Sequence, residues 1–577
     1  MTTSVGNIRR FRSVATLVGF CILVTLLRCG VVFASEQSSG VAGLPRDEVQ
    51  RLGERIYREG ILPSGESLKA IIRGDVLVEG TQFSCSSCHM RGGLGSYEGQ
   101  VITLPTNGKS LFQPYNSRSY FQLSRTEKGK IPEQFRSATL RPAYTDTTLA
   151  KVIRGGVDPA GRVLDATMPR YQLDDRDMAI LIAYLKELSS TYSPGVTDTT
   201  LRFATVIAGE VSPEDRAAML VPLERYIEDR NTNARSFERR RDNYGWHTES
   251  MDRQFRRLSL AHWELKGPPE TWRAQLEEYY RKEPVFALLG GISYGDWKPV
   301  HEFSEEHRIP CILPITDFPV ISDGDWYTLY FSRGLYQEGE TAAHYLSNML
   351  EAESDQAVVQ LVQDSHEGKT LAAGFEETWQ GLGKTAPITK SIRAGEALPP
   401  EFLQQLVSHD RPPILILWAG PETLTALESI STDAKHPGMV IISSSLMKKS
   451  LMNLPETMRN FTYITYPYRL PQEEGIYSKF AKVWLSSRKA PVNDKRISTR
   501  MFSLMSLMTQ TLMHMKSNFY RDYFLDVISM FPDQLYPDYE RLSFGPGQVY
   551  ASKGCYIVQL TQGANPQLVK KSDWVIH

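Results

Sequence analysis

Across 577 residues the chain has only six cysteines, too few for a disulfide scaffold. It has no excess of one charge. Lys and Arg number 65 against 66 Asp and Glu, a net −1, which removes the basic bias of a nucleic-acid-binding chain. After the first forty residues no apolar run is long enough to cross a bilayer. Hydrophobic residues at 41% and charged residues at 23% are ordinary globular values, which excludes a disordered, fibrous or polytopic membrane protein. The length is too great for one compact domain; at roughly 100–200 residues per domain it implies about three to five units.

What is present begins at the N-terminus. Arg9, Arg10 and Arg12 precede an apolar run from Val14 to Leu27, and Val32-Phe33-Ala34 offers small or apolar residues before Ser35. This is the layout of a secretory signal over 1–34, so the chain is expected in the periplasm; an uncleaved signal anchoring it to the membrane is the alternative. A chain starting at Ser35 has 61 basic and 66 acidic residues, or −5. Residues 35–190 then carry a cysteine motif and end in a helical pattern, and 191–200 form a polar Pro/Gly linker. From 201 to 577 short apolar runs alternate with amphipathic ones. Phe203–Ala208, Val285–Leu289, Cys311–Ile315, Ala357–Val362, Ile414–Trp418 and Met439–Ile442 read as buried strands. Thr341–Ala352 and Ala372–Gln380 read as helices between them. Such alternation predicts doubly wound parallel sheets, and about 375 residues predict two α/β lobes.

Cys85-Ser86-Ser87-Cys88-His89 is Cys-x-x-Cys-His, the attachment signature of c-type haem. Two thiols at this spacing reach the two vinyl groups on one porphyrin edge, and the next residue places an imidazole under the iron. One covalent haem c is therefore expected on Cys85 and Cys88, with His89 as an axial ligand. For the second axial position Met90 is too close to His89 to cross the ring, and Met178 falls at helical spacing with Leu181, Ile182 and Leu185. Met168 precedes Pro169, which disfavours helix there, so its thioether is free to project; it is the expected ligand. Asp174 is placed to cap the helix that follows. His/Met ligation suits electron transfer better than catalysis. Residues 45–190 resemble a class I cytochrome c domain, which implies an all-α fold. A first helix around Arg46–Tyr57 (with a second stretch near Ser67–Ile72) would cross the closing helix 174–188. Residues 97–140 are longer than the family pattern.

The remainder has no phosphate loop, no His-Glu-x-x-His and no Gly-x-Ser-x-Gly, and its His residues are scattered, so no catalytic residue is assigned. The order of its segments resembles the type I periplasmic binding proteins of the branched-chain amino-acid and amide group used with ATP-driven importers. The resemblance rests on the opening strand Phe203–Ala208, on Phe286–Ser293 with its Gly-x-x-Ser turn, and on Ile309–Pro314. It continues in Ala357–Val362 with Asp364 and Gly368, and in the closing stretches Phe544–Gln548 and Gly554–Gln559. It implies a ligand cleft between two lobes, with Ser293, Tyr294, Thr316 and Asp317 carried over by position from the first lobe. Where the family often has Tyr before Gly, this sequence has Glu367 before Gly368, which suits a cationic group, an amide or a polyol better than a free acid. Loss of small-molecule binding, leaving a scaffold, is the alternative for this cleft. Cys311 and Cys555 are read as two buried thiols in preference to a disulfide. Met501, Met505, Met508, Leu512 and Met515 recur at helical spacing as a core stripe.

Together these features predict an exported electron carrier, not an enzyme: a mono-haem cytochrome c joined to a solute-binding module that takes a small polar molecule, amino-acid or amide-like, or docks a periplasmic redox partner. An ABC permease is a further expected partner. Two alternatives stay open: a haem-containing dehydrogenase with its active site in the cleft, and a plain solute receptor for an ABC transporter with a redox tether.

Overall fold

The structure, a computed structural model, describes residues 41–98, 101–116, 140–244, 256–350, 356–393, 412–431, 437–473, 475–492, 495–545 and 547–576. The expected signal 1–34 and most of 97–140 lie outside them. The chain divides into two compact units between Ser190 and Thr191.

In the first unit, helix α1 (Arg46–Glu59) buries Val49, Leu52, Gly53, Ile56 and Tyr57 along one face and is stopped by Gly60 in the left-handed conformation. The closing helix, α4 (Asp175–Glu187), starts at Asp174, whose carboxylate accepts the Asp177 N–H at 2.7 Å. The two helices meet at Gly53, where an added Cβ would lie 2.4 Å from Tyr184 Cβ. Only glycine permits that approach. Between them come α2 (Cys85–His89) and α3 (Asp146–Gly155), the latter opened by a capping box on Thr145 and Thr148.

The unit is not all-α. Strands β1 (Lys69–Ile72), β2 (Val76–Glu79) and β3 (Arg170–Tyr171) form an antiparallel sheet in the order β2-β1-β3. The stretch expected as a second helix near Ser67–Ile72 is thus a strand. Arg73 and Gly74 both adopt positive φ (51° and 96°), the hairpin-turn conformation that pairs Ile72 with Val76.

The second unit opens with residues 191–200 already bound to it: Ser193 N–H donates to Phe519 O, and Tyr192 stacks on Tyr520. Its first sheet has the order β8-β7-β6-β4-β5 and is parallel throughout, from β4 (Thr200–Ala208), β5 (Arg257–Leu265), β6 (Ala287–Leu289), β7 (Cys311–Ile312) and β8 (Thr328–Leu329). Helices α5 (Pro213–Tyr244), α6 (Trp272–Lys282) and α7 (Lys298–Glu306) connect them. The second sheet has eight strands, with order β10-β9-β11-β12-β13-β14-β15 and β16 added to β14. Strands β9 (Val358–Gln363), β10 (Ile388–Ile392), β11 (Ile414–Trp418), β12 (Met439–Ser443) and β13 (Thr462–Tyr466) run parallel. Strands β14 (Gly554–Leu560), β15 (Leu568–Lys570) and β16 (Val575–Ile576) close the edge antiparallel. Every residue of β11 and β12 is buried, as expected of parallel strands covered on both faces.

Helix α8 (Leu335–Met349) carries the chain from the first lobe into the core of the second. Helices α9 (His366–Gly381) and α10 (Leu424–Ser431) belong to the second lobe. After β13 the chain returns through α11 (Ile476–Ser487), α12 (Ile497–Met515) and α13 (Arg521–Ser529), which complete the first lobe's core. Tyr550 then bridges to Tyr330 before β14 re-enters the second sheet. Three crossings therefore join two α/β lobes. Cys311 and Cys555 are both free and buried, in β7 and β14.

Candidate functional site

In the first unit, the short helix α2 places Cys85 and Cys88 one turn apart, neither in a disulfide; Cys88 is exposed and Cys85 half-buried against the core. Burial pushes the Cys85 thiol up to about 12. His89 Nδ1 lies 2.7 Å from Leu104 O. The carbonyl can only accept, so that nitrogen carries the proton and Nε2 keeps its lone pair. Burial also lowers the imidazole's pKa, against the opposing effect of the Leu104 carbonyl. Tyr57 closes the end of α2 by donating its hydroxyl to Met90 O at 2.9 Å.

Met168 is half-buried in a loop pinned by Arg170, whose guanidinium donates to Met168 O at 2.6 Å and Leu164 O at 2.8 Å. Two connections anchor the strand that follows this loop. Strand β3 pairs with β1, and Tyr171 donates its hydroxyl to Phe83 O at 2.8 Å while touching Cys85.

The residues fit a covalent porphyrin better than a bare metal ion. Among the described residues no three His, Cys, Asp or Glu side chains converge on a point that an ion could occupy. Val76, Leu77, Phe83 and Val163, the unit's large exposed apolar residues among those described, belong to the segments around α2 and the Met168 loop.

In the second unit the strand ends of both sheets meet at the lobe junction. Ser293 and Thr316 are buried there, and their hydroxyls serve local turns: Ser293 Oγ accepts Gly295 N–H at 3.2 Å, and Thr316 Oγ1 accepts Phe318 N–H at 3.1 Å. The Tyr294 hydroxyl takes a hydrogen bond from Lys495 Nζ at 2.9 Å, and Lys495 also pairs with Asp215 at 2.7 Å. Burial, then Asp215, raises that phenol's pKa. Asp317 is exposed, and its carboxylate bonds no protein group among the described residues. Phe318 stacks on His366 of the other lobe at 3.9 Å between ring centroids and 9° between planes.

Glu367 follows His366 in the first turn of α9, capped by Ser365 Oγ accepting Gly368 N–H at 3.1 Å. Helix α9 thus begins at His366, two residues after Asp364.

The sequence reading missed the polar centre of this junction. Arg496 lies over the Tyr468 ring at 4.5 Å, donates to Tyr466 Oη at 2.7 Å and faces Asp538 at 3.6 Å. Arg500, one turn later, lies over Phe331, which stacks on Tyr539; Tyr539 in turn packs against Tyr468. Glu338 of α8 is buried and accepts from Ser443 at 2.8 Å and Thr465 at 2.6 Å. A signal existed: Arg500 is the one Arg, Lys, Asp or Glu in the otherwise apolar and hydroxyl-rich helix 497–515. A separate surface cavity of about 440 Å³ between α5 and the edge strand β5, lined by Glu224, Asn231, Leu260 and His262, shares no residue with this junction.

No family model matches the chain, and no curated protein matches it. Among solved structures it is similar to a branched-chain amino-acid ABC transporter protein from Thermus thermophilus with bound valine. The identity is 10%, covering 66% of this chain and 97% of that one, with a TM-score of 0.46. A solute-binding protein of an ABC transporter from Rhodopseudomonas palustris BisB5, in complex with 3,4-dihydroxybenzoic acid, is 12% identical over 65% of this chain and 97% of its own (TM-score 0.46). A fatty-acid ABC transporter substrate-binding protein from Thermomonospora curvata is 13% identical over 67% and 95% (TM-score 0.43). Among the described residues no helix is long and apolar enough to cross a membrane.

Proposed function

We propose that the chain is an exported solute receptor whose second unit closes on a small polar molecule and whose first unit carries one covalent c-type haem. One observation carries the receptor reading. Two α/β lobes meet at the Phe318–His366 stack, beside exposed Asp317, whose charge reaches Tyr468. A hinge closure over three crossings brings groups from both lobes onto one solute and excludes water from it. Ser293 and Thr316 keep their hydroxyl protons available to a solute acceptor, because each oxygen serves its own turn as acceptor only.

For the first unit, the support is the donor set: Cys85 and Cys88 as the attachment thiols, His89 with its Nε2 lone pair fixed by Leu104, and Met168 as the second axial donor. A haem held this way supplies one-electron transfer between ferrous and ferric iron. Leu104 orients the imidazole, and Arg170 holds the Met168 loop. An ABC permease and a periplasmic redox protein are the partners this reading requires.

Native mass spectrometry of protein made in a host that matures c-type haem tests both halves. The expected result is one haem that survives denaturation and is lost in Cys85→Ala/Cys88→Ala, plus a small-molecule adduct that denaturation removes. Protein without haem overturns the first half. Protein that takes up nothing from a metabolite extract overturns the second.

A further inference from the structure

Helix α11 (Ile476–Ser487) carries its larger apolar face outward. Its inner face, Ser478, Ala481 and Leu485, is buried; Ala481 sits in the first lobe's core and Ser478 Oγ donates to Pro537 O at 3.3 Å. Away from that face stand Ile476, Tyr477, Phe480 and Val483, which are 76%, 51%, 62% and 67% exposed. At about 100° per residue Ile476, Phe480 and Val483 form one stripe opposite the buried residues, about 10 Å long, with Tyr477 at its edge. Among the described residues no other helix presents more than one exposed large hydrophobic side chain. Single apolar residues on a surface are ordinary, but four on one side of a 12-residue helix mark an interaction site.

The charge beside the stripe has one sign. From Ile476 to Val492 the chain holds Lys479, Lys482, Arg488 and Lys489 and no Asp or Glu. Arg488 pairs with Asp229 at 2.7 Å and lies over Trp484 at 4.4 Å, so its charge is met within the lobe. The three lysines are exposed. Glu473, ahead of the helix, is met by Lys570 at 2.8 Å.

These observations select among occupants. Two copies docked through the stripe would set the same lysines together with no acid from either helix between them, so like charge opposes self-association. An acidic protein would answer the lysines, but four protruding apolar side chains would each need a shaped pocket on it. Acyl chains accept such side chains without one.

We propose that α11 is a docking surface for an anionic phospholipid membrane. Ile476, Phe480 and Val483 insert at the boundary of headgroups and acyl chains, Tyr477 stays at the polar edge, and Lys479, Lys482 and Lys489 lie against the headgroups. In this arrangement buried apolar area and attraction to anionic lipid act together, and the contact is peripheral and reversible. It holds whatever the second unit binds.

The test sediments the purified, matured full chain with vesicles rich in phosphatidylglycerol and with vesicles of phosphatidylcholine alone. Binding to phosphatidylglycerol should be at least about 10-fold tighter, and weaker at high ionic strength. Ile476→Ser/Val483→Ser, at the two most exposed positions of the stripe, should lose at least about 10-fold in affinity with unchanged circular dichroism. Lys479→Gln and Lys489→Gln should each lose about fivefold. Wild type and variants share one N-terminus, so a retained signal cannot produce these differences. Binding that phosphatidylcholine matches, or that Ile476→Ser/Val483→Ser leaves unchanged, overturns the proposal. So does the absence of vesicle binding, whether the face instead pairs two copies (a concentration-dependent dimer dissolved by the same double substitution) or holds an acidic protein. The lipid comparison needs no variant, so a misfolded substitution does not remove the test.

Discussion

Glu338 is where a single proton has the clearest leverage. Burial, the dominant influence, raises its carboxyl above the ordinary value of about 4.3, and the hydrogen bonds from Ser445, Thr465 and Ser443 pull it back by less. Cys555 and Tyr468 are the other titratable groups that feel its charge. A native group that keeps its proton to higher pH than the unfolded chain makes the native state the better proton binder in that window. Stability from this site is therefore fully present below about pH 4.3 and declines as pH rises through the folded value. Glu338→Gln abolishes the titration. Its Tm relative to wild type should rise between about pH 4 and pH 8, and a pH-independent difference would contradict the assignment. Arg521→Lys should cost about 1–3 kcal/mol in denaturant unfolding, because a point ammonium cannot serve carbonyls spread around a planar fork. Legibility at this scale was uneven. Cys85, Cys88 and His89 suggest haem attachment by spacing alone, and the structure adds that they share one short helix. Ser293 and Thr316 were placed at the right strand ends, but no sequence pattern says that a hydroxyl is spent on its own turn. Arg500 was visible as a lone charge among methionines, yet its place over Phe331 exists only in three dimensions.

Helices here are specified by what they touch more than by propensity. Gly53→Ala would gain up to about 1 kcal/mol of helix propensity, but the new Cβ would meet Tyr184 Cβ at 2.4 Å and Ile180 O at 3.0 Å. Overpacking of about 1–3 kcal/mol should win, and the first unit should melt earlier by calorimetry. In α12, Met501, Met508 and Met515 are all nearly inaccessible, so Met501→Ala should lose about 2–5 kcal/mol in the second unit. The sequence located the fully buried strands well, since Ile414–Trp418 and Met439–Ile442 are uninterrupted apolar runs between turn residues. It missed β5, whose edge position leaves an irregular buried–exposed pattern from Arg257 to Leu265. It misread Lys69–Ile72 because four residues carry no helical or strand period of their own; the Arg73-Gly74 turn decides.

At the scale of the whole chain, the cores are separate. The first unit closes on Tyr57, Ile56, Leu181 and their neighbours, and the second holds the remaining clusters. A fragment of residues 191–577 should therefore unfold cooperatively by itself and bind the same solute as the full chain; loss of binding in a folded fragment would place part of the site elsewhere. Within that unit, Cys311 and Cys555 sit on different sheets, each fully buried, and burial lifts both thiols well above their ordinary pKa. For a chain read as exported, this has a consequence for biogenesis. Under the haem reading proposed above, Cys85 and Cys88 would have to remain reduced and available in an oxidising compartment, where any other thiolate competes by forming mixed disulfides. Once each lobe has closed, its one cysteine is withdrawn from that exchange, so on that reading maturation would depend on the second unit folding no later than the haem is delivered.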